Sequence, residues 1–301
     1  MSSRAGGRSD ERQLDPYPSF AVYNIRFLSL SVTQKKQRLH KIQNVQHLVQ
    51  GHDMLAIFES HTNAAKAQTE FFNEIEGVVP LYEEGDEATV VLVRSEWYKR
   101  YKPVLHQIIP GVMVAVKWAF EPSQCQQDKR TSWAIFLRLD ARDEDVRLKQ
   151  LEQATSWASG TIRPKDITIF GGDRNFVRCS DERESSSTRA WKPSEKMNSA
   201  WSRFLKAVGD AFEVEQPEFT WEKVVEGAGW VYEVLDVVGT NVDGYDTSGM
   251  QAVSRRCDDV PHPSASDHRP VSMRWFSKHR KKRKKNTAGV SDLIRTPNLY
   301  G

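Results

Sequence analysis

Cysteine is scarce in this 301-residue sequence. The three present, Cys125, Cys179 and Cys257, are far apart and in no C-x-x-C pair. An odd count at such spacing argues against a disulfide framework or a structural zinc site, and it suits a reducing, intracellular compartment. No apolar run reaches 18 residues, so nothing in the sequence reads as a membrane-spanning helix. The opening stretch, MSSRAGGRSDERQLDPYPSF, lacks the apolar centre of a secretory signal. Internal repeats and a collagen-like or fibrous bias are also missing.

What is present supports one large α/β domain with a sizeable core: 39% apolar and 28% charged residues. The net charge of +3 hides an asymmetry. Lys278 to Lys285, KHRKKRKK, carries seven Lys or Arg and no acid, so the remainder is left near −4. Such a basic run points to nucleic acid, an anionic surface or nuclear import. The plainer reading is a solubilising tail. Residues 1–16 and 278–301 are expected to be disordered flanks of one domain at 17–277.

Short runs rich in Val, Ile and aromatics predict strands at 19–25, 54–60, 88–94, 112–118, 132–139, 166–172, 231–239 and 270–276. Apolar residues at helical spacing predict helices at 34–49, with Thr33 as N-cap, at 144–158, and at 194–212, capped by Ser194. The order is neither strict βαβ alternation nor all-β, and two packed sheets with helices outside accommodate it.

Polar residues recur where these strands stop. Asn24 lies in the first strand, Glu59 ends the second, and Arg138 closes 132–139. ITIFGG delivers Asp173 and Asn175, with Arg174 between them expected to point away. Asp236 sits between Leu235 and Val237, and Ser266-Asp267-His268 precedes the last strand. A buried polar group costs about 1–3 kcal/mol unless paired. Singly, each is an ordinary strand-end residue. Together they ask for a shared partner, and a divalent cation with a phosphate would serve.

With these residues in view, the sequence resembles the endonuclease/exonuclease/phosphatase superfamily, the DNase I-like fold, over roughly 19–276. YNIR, LAIFESH, GGDRNF, EVLDVVGTN and SDHRPV resemble its motifs in order and context. The resemblance implies a four-layer α/β sandwich, with two mixed β-sheets face to face and outer helices. It implies phosphoester cleavage with Mg²⁺ or Mn²⁺. Glu59 would be the main metal ligand, with Asn24 and Asp267 near the metal or phosphate. Asp173 would orient or deprotonate water, Asn175 would bind a phosphate oxygen, and His268, held by Asp236, would stabilise the transition state or act as a base. One departure stands out. Where many members place a His or Tyr, this sequence has Arg138. Arginine is no general acid at neutral pH, but it can clamp a phosphate.

Three substrate readings follow. The first is a nucleic-acid endonuclease, of the kind also found in non-LTR retroelements, acting on DNA more than RNA. The basic tail favours it. So do Arg178, Arg189 and the stacking residue Trp191 in the loop after Asn175, although Asp181, Glu182 and Glu184 dilute that loop's charge. The second is a phosphatase of a small or lipid phosphoester, and the third a non-catalytic descendant that only binds. The other histidines show no metal-ligand spacing, although His61 follows Glu59 closely.

Overall fold

The structure is a computed structural model, and it describes residues 17–25, 35–59, 75–82, 89–120, 130–178, 183–185, 193–214, 219–225, 229–242 and 250–277. The flanks 1–16 and 278–301, the cap Thr33, His61, Arg189 and Trp191 lie outside the described residues.

Two six-stranded sheets carry the fold. The first orders β14 (Met250–Arg256), β15 (Val271–Ser277), β1 (Phe20–Asn24), β2 (Met54–Phe58), β4 (Val90–Arg94) and β3 (Val78–Leu81). The second orders β10 (Phe212–Glu213), β13 (Asp236–Thr240), β8 (Ile167–Asp173), β7 (Arg130–Arg138), β6 (Met113–Phe120) and β5 (Val104–Ile109). Both are mixed: β1 runs parallel to β2 and β7 parallel to β8, and the remaining neighbours are antiparallel. A third, small sheet orders β11 (Trp221–Val225), β12 (Gly229–Glu233) and β9 (Arg183–Ser185).

Strand alternation builds the layers. Phe20 and Val22 of β1, Ala56 and Phe58 of β2, Ala134 and Phe136 of β7, and Ile167 and Ile169 of β8 fill the core between the sheets. The alternate residues face outward. Ala21 and Tyr23 pack with Val45, Leu48 and Val49 of α1 (Lys35–Gly51). Ile135, Leu137 and Phe170 pack with Leu151, Ala154 and Ala158 of α3 (Glu144–Thr161) and with Met197, Trp201 and Phe204 of α4 (Glu195–Ala207). A shorter helix, α2 (Ser95–Tyr101), buries Trp97 in the inter-sheet core. The result is the expected four-layer α/β sandwich.

The caps are local. The Asp143 side chain accepts from the amides of Asp145 and Val146 to start α3, and the Ser194 hydroxyl accepts from Met197 N to start α4. The predicted helix 194–212 stops at Ala207, because Gly209 (φ +92°) and Asp210 (φ +55°) turn left-handed. The predicted strand 231–239 is two strands. β12 joins the small sheet and β13 the second large sheet, and the break comes where the Thr220 hydroxyl accepts from both Leu235 N and Asp236 N. The chain therefore switches sheets just before Asp236.

The glycine pair before Asp173 has a packing reason. A Cβ on Gly171 would lie 2.7 Å from Val22 Cγ1, where β8 presses on β1 across the core. A Cβ on Gly172 would lie 1.8 Å from the Leu137 carbonyl oxygen of neighbouring β7. Side chains can shift but a central strand cannot. Gly171→Ala is expected to cost about 1–3 kcal/mol by overpacking, and Gly172→Ala clearly more. Urea unfolding of the two variants checks the order, and equal losses would contradict it.

His52, following α1, is buried; its Nδ1 donates to Leu48 O at 2.9 Å and its Nε2 faces Arg274 at 3.5 Å. Burial lowers its pKa to about 4. The folded value lies below the unfolded one, so stability is held above pH ~6.5 and lost as pH falls towards 4, by up to about 3 kcal/mol. Denaturant titrations at pH 7 and pH 4.5 should show a smaller loss for His52→Gln than for the wild type.

Candidate functional site

The parallel pairs explain why polar residues gather at one edge. Asn24 ends β1 and Glu59 follows β2, while Arg138 ends β7 and Asp173 ends β8. Asp236 opens β13 directly opposite Asp173, and His268 precedes β15, the antiparallel partner of β1. The C-terminal ends of the parallel strands and the N-terminal ends of their antiparallel neighbours thus meet on one side of the sandwich. Ligand crevices commonly form at such strand ends in α/β sheets.

Asn24 is the bridge. Its Nδ2 donates to Glu59 Oε1 at 2.9 Å and to Asp173 Oδ2 at 3.0 Å, joining the two sheets. Asp173 is fully buried, and its other oxygen accepts the Asn175 backbone N–H at 2.9 Å. Asn175 adopts a left-handed backbone (φ +52°), and its side-chain amide donates to Leu139 O at 2.8 Å. Glu59 is also left-handed (φ +55°). Two non-glycine residues in this region at one edge are the kind of backbone strain found at functional sites.

His268 Nδ1 lies 2.8 Å from Asp236 Oδ2, and its Nε2 lies 3.9 Å from Asp173 Oδ2. The loop is held by Ser266, whose hydroxyl donates to Asn24 O and accepts from His268 N. Trp221 of the small sheet forms a backbone bridge with His268, and Arg269 N donates to Thr220 O. Burial raises the Asp173 pKa, and Asp236 adds to this; His268, Asn24 and the Asn175 amide pull back, leaving about 6. Burial opposes charge on His268, but Asp236 and Asp173 outweigh it and push the imidazole up to about 9. At neutral pH the pair is therefore imidazolium beside carboxylate.

Arg138 reaches Glu59 rather than solvent. Its Nε lies 2.9 Å from Glu59 Oε1, the oxygen that Asn24 also contacts. The Nε–H is poorly aligned for a hydrogen bond, so the contact is an ion pair. Arg174 turns away from the site as expected. Wholly buried, it donates to Glu213 at 3.0 Å and to Val234 O at 3.1 Å. Glu213 also accepts from Arg178 at 2.9 Å and from the Trp201 indole at 2.6 Å. This network locks the turn that carries Asp173 and Asn175. It also ties Arg178, expected to bind substrate, to a structural carboxylate.

Of the predicted site residues, the structure brings Asn24, Glu59, Arg138, Asp173, Asn175, Asp236 and His268 into one connected cluster; Asp267 lies beside it and adds to the upward pull on His268. Sequence reasoning missed Glu213 and Thr220. A lone acid on a two-residue strand and a lone Thr carry no motif, so nothing in the sequence marked them.

Asp173, Asp236 and His268 offer ligand atoms within 4.8 Å of one another and could hold a metal ion. The donor chemistry fits a hard cation: the oxygens of Glu59, Asp173 and Asp236 crowd one edge, and buried Asp236 Oδ1 has no hydrogen-bond partner among the described residues. The short His268–Asp236 contact commits Nδ1 to Asp236 Oδ2 and leaves Oδ1 facing the cluster.

No protein-family model and no curated protein matches the sequence. Solved structures do match. An AP endonuclease from Archaeoglobus fulgidus is similar at TM-score 0.57 and 14% identity, over 86% of this chain and 99% of its own. A mannosyl-6-phosphatase from Bacteroides thetaiotaomicron is similar at TM-score 0.56 and 12% identity, over 86% of this chain and 100% of its own. An endonuclease/exonuclease/phosphatase family protein from the same organism is similar at TM-score 0.55 and 12% identity, over 87% and 99%. Likeness at such low identity speaks to architecture, and the architecture of this chain is the endonuclease/exonuclease/phosphatase fold.

Proposed function

We propose that the protein is a divalent-metal-dependent phosphodiesterase that hydrolyses nucleic-acid phosphodiester bonds, DNA more than RNA. The observation that carries this is the buried cluster in which Asn24 joins Glu59 to Asp173 while Asp236 holds His268 beside Asp173. Water attack on a phosphodiester needs a base, a charge at the phosphoryl oxygens and a proton for the leaving oxygen. Asp173, a carboxylate at neutral pH, is positioned by Asn24 to take the proton of the attacking water. His268 is imidazolium at neutral pH and offers a positive charge and a proton from Nε2, while Asp236 keeps the ring oriented. Asn175, whose side-chain amide donates one N–H to Leu139 O, would offer the other to a phosphate oxygen. Arg138 cannot give up a proton, so leaving-group protonation falls to His268.

Mg²⁺ or Mn²⁺ would be held by Glu59, with Asn24 and Asp267 nearby; when bound it supplies charge neutralisation at the phosphate.

Nucleic acid as substrate rests on the basic run at Lys278 to Lys285 and on the endonuclease among the similar folds. The run follows β15, which starts at the site and leads away for seven residues, roughly 20 Å. Such a run would raise affinity for a polyanion or serve as a nuclear import signal. Arg189 and Trp191, in the loop after Asn175, would contact substrate, with Arg178 contributing only if it exchanges Glu213 for phosphate.

A second reading has one observation in its favour: Arg138 already neutralises Glu59, as suits a chain that binds without cleaving. Supercoiled plasmid incubated with Mg²⁺ or Mn²⁺ decides between them. Nicking is expected for the wild type, with a fall of about 100-fold or more in Asp173→Asn, His268→Ala and Glu59→Gln, and none with EDTA. DNA binding without nicking in any metal would establish the second reading. Hydrolysis of small phosphate esters alone would move the substrate to the class of the sugar phosphatase.

A further inference from the structure

We propose that Asn44, on the outer helix α1, is a positioning residue that sets where Asp267 and His268 stand against Asn24. This rests on the metal-dependent reading above and adds to it a residue that acts from outside the site.

Residues 257–270 join β14 to β15 and carry Ser266, Asp267 and His268. Apart from the bridge at His268, their one regular element is the short 3₁₀ turn Pro263–Ala265, so most main-chain groups there need partners from elsewhere. Helix α1 supplies them. The Asn44 side chain accepts from His262 N at 2.9 Å and donates to His262 O at 2.8 Å. A side-chain amide thus does for His262 what a neighbouring strand does in a sheet. The other amide proton goes to the Tyr23 hydroxyl at 3.2 Å. Asn44 is wholly buried. Asparagine is a poor helix former, so its use here lies in these contacts.

Neighbours on the same helix face hold the same segment. Gln37 Nε2 donates to Ala265 O at 3.4 Å, the His40 and His262 rings stack with centroids 3.7 Å apart, and Gln43 Oε1 lies 2.5 Å from His262 Nε2. Residues three and four apart on a helix line one face, which is why they meet one stretch of chain.

From His262 the contacts run to the site without a gap. His262 O accepts from Ala265 N and closes the turn. Ser266 comes next, and its hydroxyl donates to Asn24 O and accepts from His268 N. On the other side, Tyr23 precedes Asn24 on β1. One buried amide therefore holds both stretches of chain that present the site residues. Influence at a distance needs such a contiguous network. A misplacement of about 1 Å at reacting groups can cost about 100-fold in rate, even when the altered residue is remote.

The deciding comparison is with Asn241, which makes the same pair of bonds at the start of β8, the end away from Asp173. It accepts from Thr168 N and donates to Asp166 O, both at 2.8 Å. Two asparagines with a purely structural role would behave alike when truncated. Amide hydrogen exchange of the full chain is read residue by residue, beside kcat and KM for plasmid nicking. In Asn44→Ala, the amides of Ala265 and His268, to which Asn44 makes no hydrogen bond, are expected to exchange about tenfold faster, with kcat down about 10–100-fold and KM within about twofold of wild type. In Asn241→Ala, those two amides and kcat should match the wild type. Urea unfolding places both variants on one stability scale.

Wild-type exchange at Ala265 and His268 in Asn44→Ala would overturn the proposal, and so would equal falls in kcat in the two variants. If Asn44→Ala does not fold, the double variant Gln37→Ala/Gln43→Ala, which trims the partly exposed side chains of the same face, takes its place. His268 N–H should then exchange about threefold faster, and unchanged exchange would overturn the proposal. The functional reading fails separately. A wild type that nicks no plasmid removes the nuclease, and the exchange at His268 still decides the positioning. Nicking that falls alike in Asn44→Ala and Asn241→Ala removes the positioning role and leaves the nuclease.

Discussion

One side-chain amide, that of Asn24, donates to a carboxylate in each of the two sheets. Everything else at the site is arranged around that contact. Glu59 and Asp173 belong to different sheets, and their negative ends would repel if nothing stood between them. The amide stands between them, and it can reach both only because β1 and β8 press together across the core. That approach depends on Gly171, where any larger residue would meet Val22. The apolar packing of the sandwich and the polar chemistry at its edge are therefore one constraint. The sheets close to the distance at which a single amide spans them.

The charge pattern follows from the same closeness. Asp173, Asp236, Glu59 and Asp267 gather where water is largely excluded, and carboxylates in such a place must be paired or partly protonated. The chain uses three devices. The first is the imidazolium of His268 beside Asp236 and Asp173, the second the guanidinium of Arg138 at Glu59, and the third the upward shift of Asp173 itself. A second carboxylate–guanidinium cluster, Glu213 with Arg174 and Arg178, sits behind the turn and has a different purpose. It holds Arg174 against the segment that leads into β13, Val234 and Leu235, so that its two neighbours face the site. The sequence places an arginine between two site residues, and the fold puts that arginine to structural use.

How much of this could be read in advance depended on burial. The central strands β1, β2, β7 and β8 are covered on both faces, so they appear as unbroken apolar runs and were legible. Edge strands are not. β5, reading VLHQII, exposes Val104 and His106, and β14, reading MQAVSRR, hides its pairing with β15 under polar residues. The run 231–239 reads as one strand because its apolar pattern is continuous. The break comes from Thr220, distant in sequence, and no local pattern encodes it. Site residues that end a central strand were legible for the same reason as the strands. A polar residue is conspicuous against an apolar run. Glu213 and Thr220 sit among polar neighbours, and only the fold gives them a role. Arg138 is intermediate: it stands out in the sequence where the resembled family has a His or Tyr, but its partner Glu59 lies on the other sheet and only the packing brings them together.

The small sheet β9–β11–β12 bears on the question of substrate. Its strands come from two segments, each adjoining the site in sequence. β9 lies in the loop that follows Asn175, and β11 and β12 lie between Thr220 and Asp236. It is tied to the site at the Trp221–His268 bridge and by the Thr220 contacts to Asp236 and Arg269. The two large sheets are shared with folds as different in substrate as an endonuclease and a sugar phosphatase. A fold of this kind does not by itself fix a substrate, which depends on the loops and side chains around the edge. In this chain a small sheet lies beside that edge, anchored by backbone hydrogen bonds to the histidine loop. Because it is fastened to the loop of His268, the small sheet and the imidazole are held as one mechanical unit, so a displacement of either is felt by the other.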